Sequence, residues 1–190
     1  MSRNPDTLDD GRILELGREA FSQITSEVAT VGSRLDDAFV QAVRTIHQCS
    51  GRVIVTGLGK SGIVARKLAA TLTSTGTPSH FLHPVEATHG DLGIAGGGDV
   101  LVAISRSGNN PEVTQLAALA RHFSMTMIAM TADPTSQLAA NSDIVLDCAV
   151  SREACPLDLT PTTSAAATLV MGDAIAVSLI GVLALSVAQT

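Results

Sequence analysis

The chain has 190 residues, enough for one domain with a sizeable core, and its 45 % hydrophobic and 16 % charged residues exclude a disordered chain. A formal net charge of −6, with 2 % aromatics and neither Trp nor Tyr, argues against a nucleic-acid surface or a base-stacking platform. Cys49, Cys148 and Cys155 are odd in number and never in C-x-x-C spacing, which fits reduced thiols in a cytoplasmic protein.

In chain order, the opening MSRNPDTLDDGR has no apolar core, so no secretory leader is expected. Residues 8–31 predict an amphipathic helix, with Ile13, Gly17, Ala20, Phe21, Ile24, Val28 and Val31 at helical spacing. A second helix is expected over 35–49, with Ser33 as its N-cap. RVIVTG (52–57) reads as a buried strand and is followed by a helix over 61–75. SHFL (79–82), DVLVAIS (99–105), MTMIAMT (125–131) and DIVLD (143–147) read as further strands, with helices over 111–122 and 134–140 and a Gly-rich turn at 93–99. From Leu169 to Ala188 the only charge is Asp173. That length can span a bilayer, but without flanking basic or aromatic anchors it predicts a buried core helix and no membrane partner. Strands alternating with helices predict an α/β fold on a parallel sheet. One domain is expected, with helices over 1–50 and the α/β core over 51–190.

In an open α/β sheet, ligands sit beyond the carboxyl ends of the strands. Two loops there are rich in glycine and hydroxyls: Gly57-Leu58-Gly59-Lys60-Ser61-Gly62 and Ser105-Arg106-Ser107-Gly108-Asn109-Asn110. Each precedes a helix N-terminus, where free N–H groups and the helix dipole favour phosphate. The first loop satisfies G-x-G-x-x-G, the dinucleotide fingerprint, and its Gly-Lys-Ser resembles the end of a triphosphate-binding loop. The triphosphate reading fails on spacing, because the position that requires glycine is Ile54. The dinucleotide reading wants an acid after the second strand, and only Glu86 is near, in a loop with His83, Pro84 and His89. A Ser-x-Ser-Gly turn on a second strand points instead to a sugar phosphate, held by Ser105, Ser107 and Asn110. His83 and His89 form an H-x5-H pair with no third ligand, so no metal site is expected. Structural or substrate-contact roles are expected for both.

GLGKSG, STGTPSHFLHPVEATHGDLG, ISRSGNNPEVT and EACPLDLTPTTSAAATLVMGDAIAV together resemble the sugar isomerase (SIS) domain, and more narrowly the arabinose-5-phosphate isomerase family. The resemblance runs from about Gly51 to Val177. It implies a flavodoxin-like three-layer sandwich, a five-stranded parallel sheet flanked by helices, usually assembled as a tetramer. It implies interconversion of D-ribulose 5-phosphate and D-arabinose 5-phosphate without a cofactor. By motif, Lys60, Glu112 and Glu153 match family catalytic residues, and Ser105 and Ser107 match phosphate ligands. Gly59, Ser61, His89, Gly108, Asn110, Thr162 and Ser164 complete the expected substrate-binding set. The first family acid after the Ser-x-Ser-Gly turn is Asn109 here. The family also carries a later His-Pro-Gly-Gly segment with a catalytic histidine, and commonly paired CBS modules. Neither stands in these residues, so slow turnover by this chain is expected.

Aldose–ketose isomerisation passes through an enediol and needs a base and donors for the enediolate oxygen. A carboxylate serves if desolvation lifts its pKa toward neutrality, and Glu153 beside an apolar stretch is expected to be such a group. The choice of base between Glu112 and Glu153 stays open. Two other functions compete: a sugar-phosphate-binding module without catalysis, and another isomerase on the same fold, such as a hexulose-6-phosphate type.

Overall fold

A computed structural model describes residues 9–188. Residues 1–8, which include most of the stretch where no leader is expected and the first residue of the predicted helix, lie outside the described residues, as do 189–190.

Five short apolar runs set the sheet. β1 (Val53–Gly57), β2 (Ser79–Phe81), β3 (Val100–Ile104), β4 (Thr126–Thr131) and β5 (Ile144–Asp147) pair in parallel, in the order β2-β1-β3-β4-β5. All five residues of β1 and of β3 are buried, because helices cover both faces of a parallel sheet. Alternation sends Val53, Val55, Val100, Val102, Ile128 and Met130 to one face. Ile54, Leu101, Ala103, Met127 and Ala129 go to the other. The first face is covered by α1 (Asp10–Ser33), α2 (Asp37–His47), α3 (Gly59–Ser74) and α7 (Thr163–Ala188). The second is covered by α4 (Pro84–Thr88), α5 (Pro111–His122) and α6 (Gln137–Ala140). The result is the expected three-layer α/β sandwich on a five-stranded parallel sheet.

Three local expectations are corrected. Ser33 is the last residue of α1, and Asp36 caps α2 instead, its carboxylate accepting from the Ala38 N–H at 2.9 Å. The segment read as a loop around Glu86 is α4, with Pro84 in its first turn, followed by a 3-10 turn over Asp91–Ile94. Of the predicted apolar stripe on α1 only Val31 is fully buried, and Phe21 is 79 % exposed. A helix of 24 residues is about 36 Å long, while a five-residue strand covers about 17 Å, so α1 overhangs the sheet.

α7 is long and apolar enough to cross a membrane by length and composition. Here it lies against α1, α2 and α3, with Ala167, Met171, Ile175 and Leu179 buried, as expected of a core helix. Its lone charge, Asp173, is paired with Lys67 of α3. Its other face leaves Val170, Val177, Ile180 and Val182 exposed.

Candidate active site

The site is built where β1 and β3 end. β1 passes into α3 through Leu58, and no side chain caps the first turn. The amides of Gly59, Lys60 and Ser61 therefore have no intrahelical acceptor and, with the helix dipole, form an open anion seat. Gly62 is fixed by packing: a Cβ there would lie 2.7 Å from the Gly57 carbonyl oxygen. The glycine fingerprint thus serves a tight strand-to-helix approach.

After β3, residues 105–110 form the second loop. Gly108 takes φ +63°, and a Cβ there would lie 2.0 Å from Ser136 Oγ. Asn110 caps α5, its Oδ1 accepting from the Val113 N–H at 3.1 Å. The loop is bolted to the chain after β4. The Ala132 N–H donates to the Arg106 carbonyl at 3.0 Å, and the Leu138 N–H to the Gly108 carbonyl at 2.9 Å. Asn109, which stands in place of the family acid, accepts from the Gln137 N–H at 3.0 Å and so ties the loop to α6.

Between these loops lies a cavity of about 470 Å³, whose lining includes Ser61, Ser105, Arg106, Ser107, Asn110 and Asp133. That size suits a small-molecule ligand. A smaller cavity of about 200 Å³ adjoins it, with Lys60, Ser61, Arg106 and Ser164 in its wall. Ser61 and Arg106 belong to both. Among the described residues, none of the hydroxyls of Ser61, Ser105 and Ser107 donates to another protein group, so all three protons are available to a ligand.

Glu153 is 3 % exposed and saturated. Its Oε2 accepts from the Thr162 N–H at 2.8 Å, the Thr162 hydroxyl at 3.2 Å and the Ser164 N–H at 3.1 Å. Its Oε1 accepts from the Ser164 hydroxyl and pairs with Arg106 Nη1 at 3.3 Å. Burial pushes the carboxyl pKa up; the Ser164 hydroxyl, the Thr162 and Ser164 amides and Arg106 outweigh it, and the net result lies below the ordinary value. The expectation of a base lifted toward neutrality is therefore reversed. Glu153 sits at the N-terminus of α7 and accepts from its first amides, the counterparts of those that α3 leaves open.

The segment that carries Glu153 is held from behind by α1. Arg34 donates to Asp147 Oδ2 at 2.8 Å and to the Ala149 carbonyl at 2.6 Å. Glu27 accepts from the Ser151 N–H at 2.9 Å and from its hydroxyl, and those bonds lower the Glu27 pKa. Gln23 accepts from Arg152 Nη2 at 2.7 Å. The Cys155 sulfur accepts the Leu159 and Thr160 N–H groups at 3.1 Å and fixes the next turn. Burial, with a smaller push from Asp147, raises the Cys148 thiol to about 12, so it stays protonated.

The other expected residues are distributed as follows. Lys60, Ser61, Ser105, Ser107, Asn110 and Ser164 meet at the paired cavities. Thr162 faces Glu153, and Gly59 and Gly108 shape the backbone. Glu112 lies half-buried in the first turn of α5 and His89 is exposed at the end of α4, both outside the two cavity walls. Among the described residues, no group of three or more His, Cys, Asp or Glu is placed to hold a metal ion, and His83 keeps its Nδ1 buried without a partner. Two charged lining residues fall outside the expected set: Arg106, the interior letter of the Ser-x-Ser-Gly motif, and Asp133, two residues beyond β4.

The SIS domain pattern matches residues 46–178. The chain belongs to the SIS domain family. It is 44 % identical over 181 residues to the arabinose 5-phosphate isomerase KdsD of Pseudomonas aeruginosa, covering 95 % of this chain and 53 % of that protein. It is 45 % identical over 166 residues to the arabinose 5-phosphate isomerase GutQ of Escherichia coli K12, covering 87 % and 52 %. The chain thus spans about half the length of these curated relatives. Among solved structures, the Escherichia coli CFT073 protein c3406 in complex with A5P superposes with a TM-score of 0.89 at 35 % identity, covering 92 % of this chain and 93 % of that one.

Proposed function

We propose that this SIS domain binds a five-carbon sugar phosphate and interconverts its ketose and aldose forms, D-ribulose 5-phosphate and D-arabinose 5-phosphate, through an enediol. The observation that carries the reading is the cavity between the β1 and β3 loops, where three free hydroxyls, the guanidinium of Arg106 and the uncapped start of α3 converge. That donor set fits a phosphate dianion. The names of KdsD and GutQ, and the A5P bound to c3406, support the choice of sugar. Ser61, Ser105, Ser107 and Arg106 grip the phosphate. Lys60, in the adjoining cavity, balances the enediolate charge. With Glu153 spent inside the protein, we assign it a positioning role, and Glu112, outside both cavity walls, is not the group that touches a ligand held there.

The test is deuterium uptake from D2O into arabinose 5-phosphate, followed by proton NMR, beside calorimetry of ligand binding. Uptake and binding are expected for the wild type. Each charge-assisted hydrogen bond is worth roughly 1.5–3 kcal/mol, so Ser105→Ala with Ser107→Ala should weaken binding about 100-fold or more. Unchanged affinity in the double variant would remove the phosphate assignment. Binding with no uptake would make the domain a binding module.

We also propose a homo-oligomer, a tetramer by family likeness, acting in the cytoplasm. Its support is the exposed apolar surface of α1 (Ile13, Leu14, Leu16, Phe21) and of α7 (Val170, Val177, Ile180). The free thiols of Cys49, Cys148 and Cys155 fit a reducing compartment. Light scattering at micromolar concentration should give a multimeric mass, and a mass near 19.5 kDa would contradict assembly.

A further inference from the structure

The loop after β3 is held at almost every residue by its own backbone. The Ser105 N–H donates to the Met130 carbonyl at 3.1 Å, and the Gly108 N–H to the Ser105 carbonyl at 3.1 Å. The Arg106 carbonyl accepts the Ala132 N–H at 3.0 Å and the Thr131 hydroxyl at 3.2 Å. The Gly108 carbonyl accepts the Leu138 N–H, and Asn110 is fixed as the cap of α5. Ser107 stands exposed between these fixed points, and among the described residues its peptide groups bond to no other backbone.

Its ties come from Asn109. Asn109 Nδ2 donates to the Ser107 carbonyl at 3.0 Å, and the Asn109 backbone N–H donates to the Ser107 hydroxyl oxygen at 3.3 Å. The second bond occupies a lone pair of that oxygen and leaves its proton for a ligand. At the other end of the same side chain, Oδ1 accepts the Gln137 N–H at 3.0 Å. The Ser107 carbonyl can only accept and the Gln137 N–H can only donate, so the amide uses both its ends. A carboxylate here would meet the Ser107 carbonyl acceptor to acceptor, and would set a negative charge beside the phosphate seat. The asparagine that stands in place of the family acid therefore makes a clamp that an acid could not.

We infer that Asn109 is a positioning residue that acts through Ser107 and holds its hydroxyl ready for the ligand phosphate. The assignment rests on the sugar-phosphate reading above. An untied serine on an exposed turn must be ordered when the ligand arrives, and that immobilisation costs affinity. The clamp orders Ser107 in advance. Ser105 and Arg106 keep their own backbone ties without Asn109, so its effect is confined to Ser107.

The experiment compares calorimetric Kd values for inorganic phosphate and arabinose 5-phosphate in wild type, Ser107→Ala, Asn109→Ala and the double variant, which all carry the same net charge. Ser107→Ala should weaken both ligands about 10-fold. Asn109→Ala should weaken both by about 3- to 10-fold, and by no more than Ser107→Ala does. In the Ser107→Ala background the same change should cost less than about 2-fold, because the group it positions is gone. Asn109→Asp keeps an acceptor for Gln137 but no donor for Ser107, and should not restore affinity. Equal losses from Asn109→Ala in both backgrounds would overturn the assignment, since a loop loosened as a whole misplaces Ser105 and Arg106 as well. Wild-type affinity in Asn109→Ala or Asn109→Asp would overturn it too. Binding that is absent from the wild type, or untouched by Ser107→Ala, would instead overturn the phosphate seat itself.

Discussion

Glu153→Gln is expected to lower stability by about 3 kcal/mol, equivalent to a fall in thermal midpoint of roughly 6–12 °C for a chain of this size. Five donors converge on the native carboxylate: two amides, two hydroxyls and the Arg106 guanidinium. An amide side chain offers one acceptor oxygen and turns an NH2 group toward donors, of which only the two hydroxyls can also accept. The loss is paid at a site only 3 % exposed, where water cannot replace the missing partner. It also uncaps the N-terminus of α7, a 26-residue helix that forms much of one layer. Thermal denaturation followed by circular dichroism checks the value, and an unchanged midpoint would reverse the anchoring role.

The same substitution carries a pH signature. The folded pKa of Glu153 lies below its unfolded value, so its stabilisation is present above the unfolded carboxylate range and is lost as pH falls through the folded pKa. The gap between wild type and Glu153→Gln is therefore widest near neutral pH and closes in acid. A catalytic base lifted toward neutrality would give the opposite slope, with the native protein gaining stability from the proton. Denaturant titrations at neutral and at acid pH separate the two.

The sheet was legible because its strands are short apolar runs bounded by glycine, proline and polar residues, and all five were placed within one or two residues. What escaped was what local pattern does not encode. α4 has five residues, less than the window in which helical periodicity registers. The α2 cap shifted because Ser33 and Asp36 are both good caps by composition, and only the turn at Arg34 decides between them. Much of the phosphate seat could be read, because ligand groups at strand ends follow from topology. Arg106 is hidden as the variable letter of a motif, and Asp133 lies just beyond the apolar run that ends at Thr131. Least legible were the ties from Gln23, Glu27 and Arg34 to residues 147–152. They join positions more than 100 residues apart, and no spacing rule reaches that far.

Gly108→Ala is expected to remove sugar-phosphate binding while leaving most of the fold intact. The residue sits at φ +63°, where a Cβ costs about 1–2 kcal/mol from backbone strain alone. The new methyl would also lie 2.4 Å from Ser136 Cβ and 2.0 Å from its Oγ. Ser136 cannot swing aside cheaply, because its hydroxyl oxygen accepts the Ala139 N–H and its proton goes to the Asp133 carbonyl. Losing that cap adds about 1 kcal/mol. The least costly relief is for the 105–110 loop to lift from the chain after β4, breaking the Gly108–Leu138 and Asn109–Gln137 bonds. Ser105, Ser107 and Arg106 then leave their common focus, and charge-assisted hydrogen bonds weaken steeply with small displacements. We expect arabinose 5-phosphate affinity to drop at least 100-fold by calorimetry, against a midpoint loss of roughly 4–12 °C for about 2–3 kcal/mol. The native sheet signature should persist by circular dichroism. Retained affinity in a folded variant would show that the ligand does not use this loop, and would move the phosphate seat to the start of α3 alone.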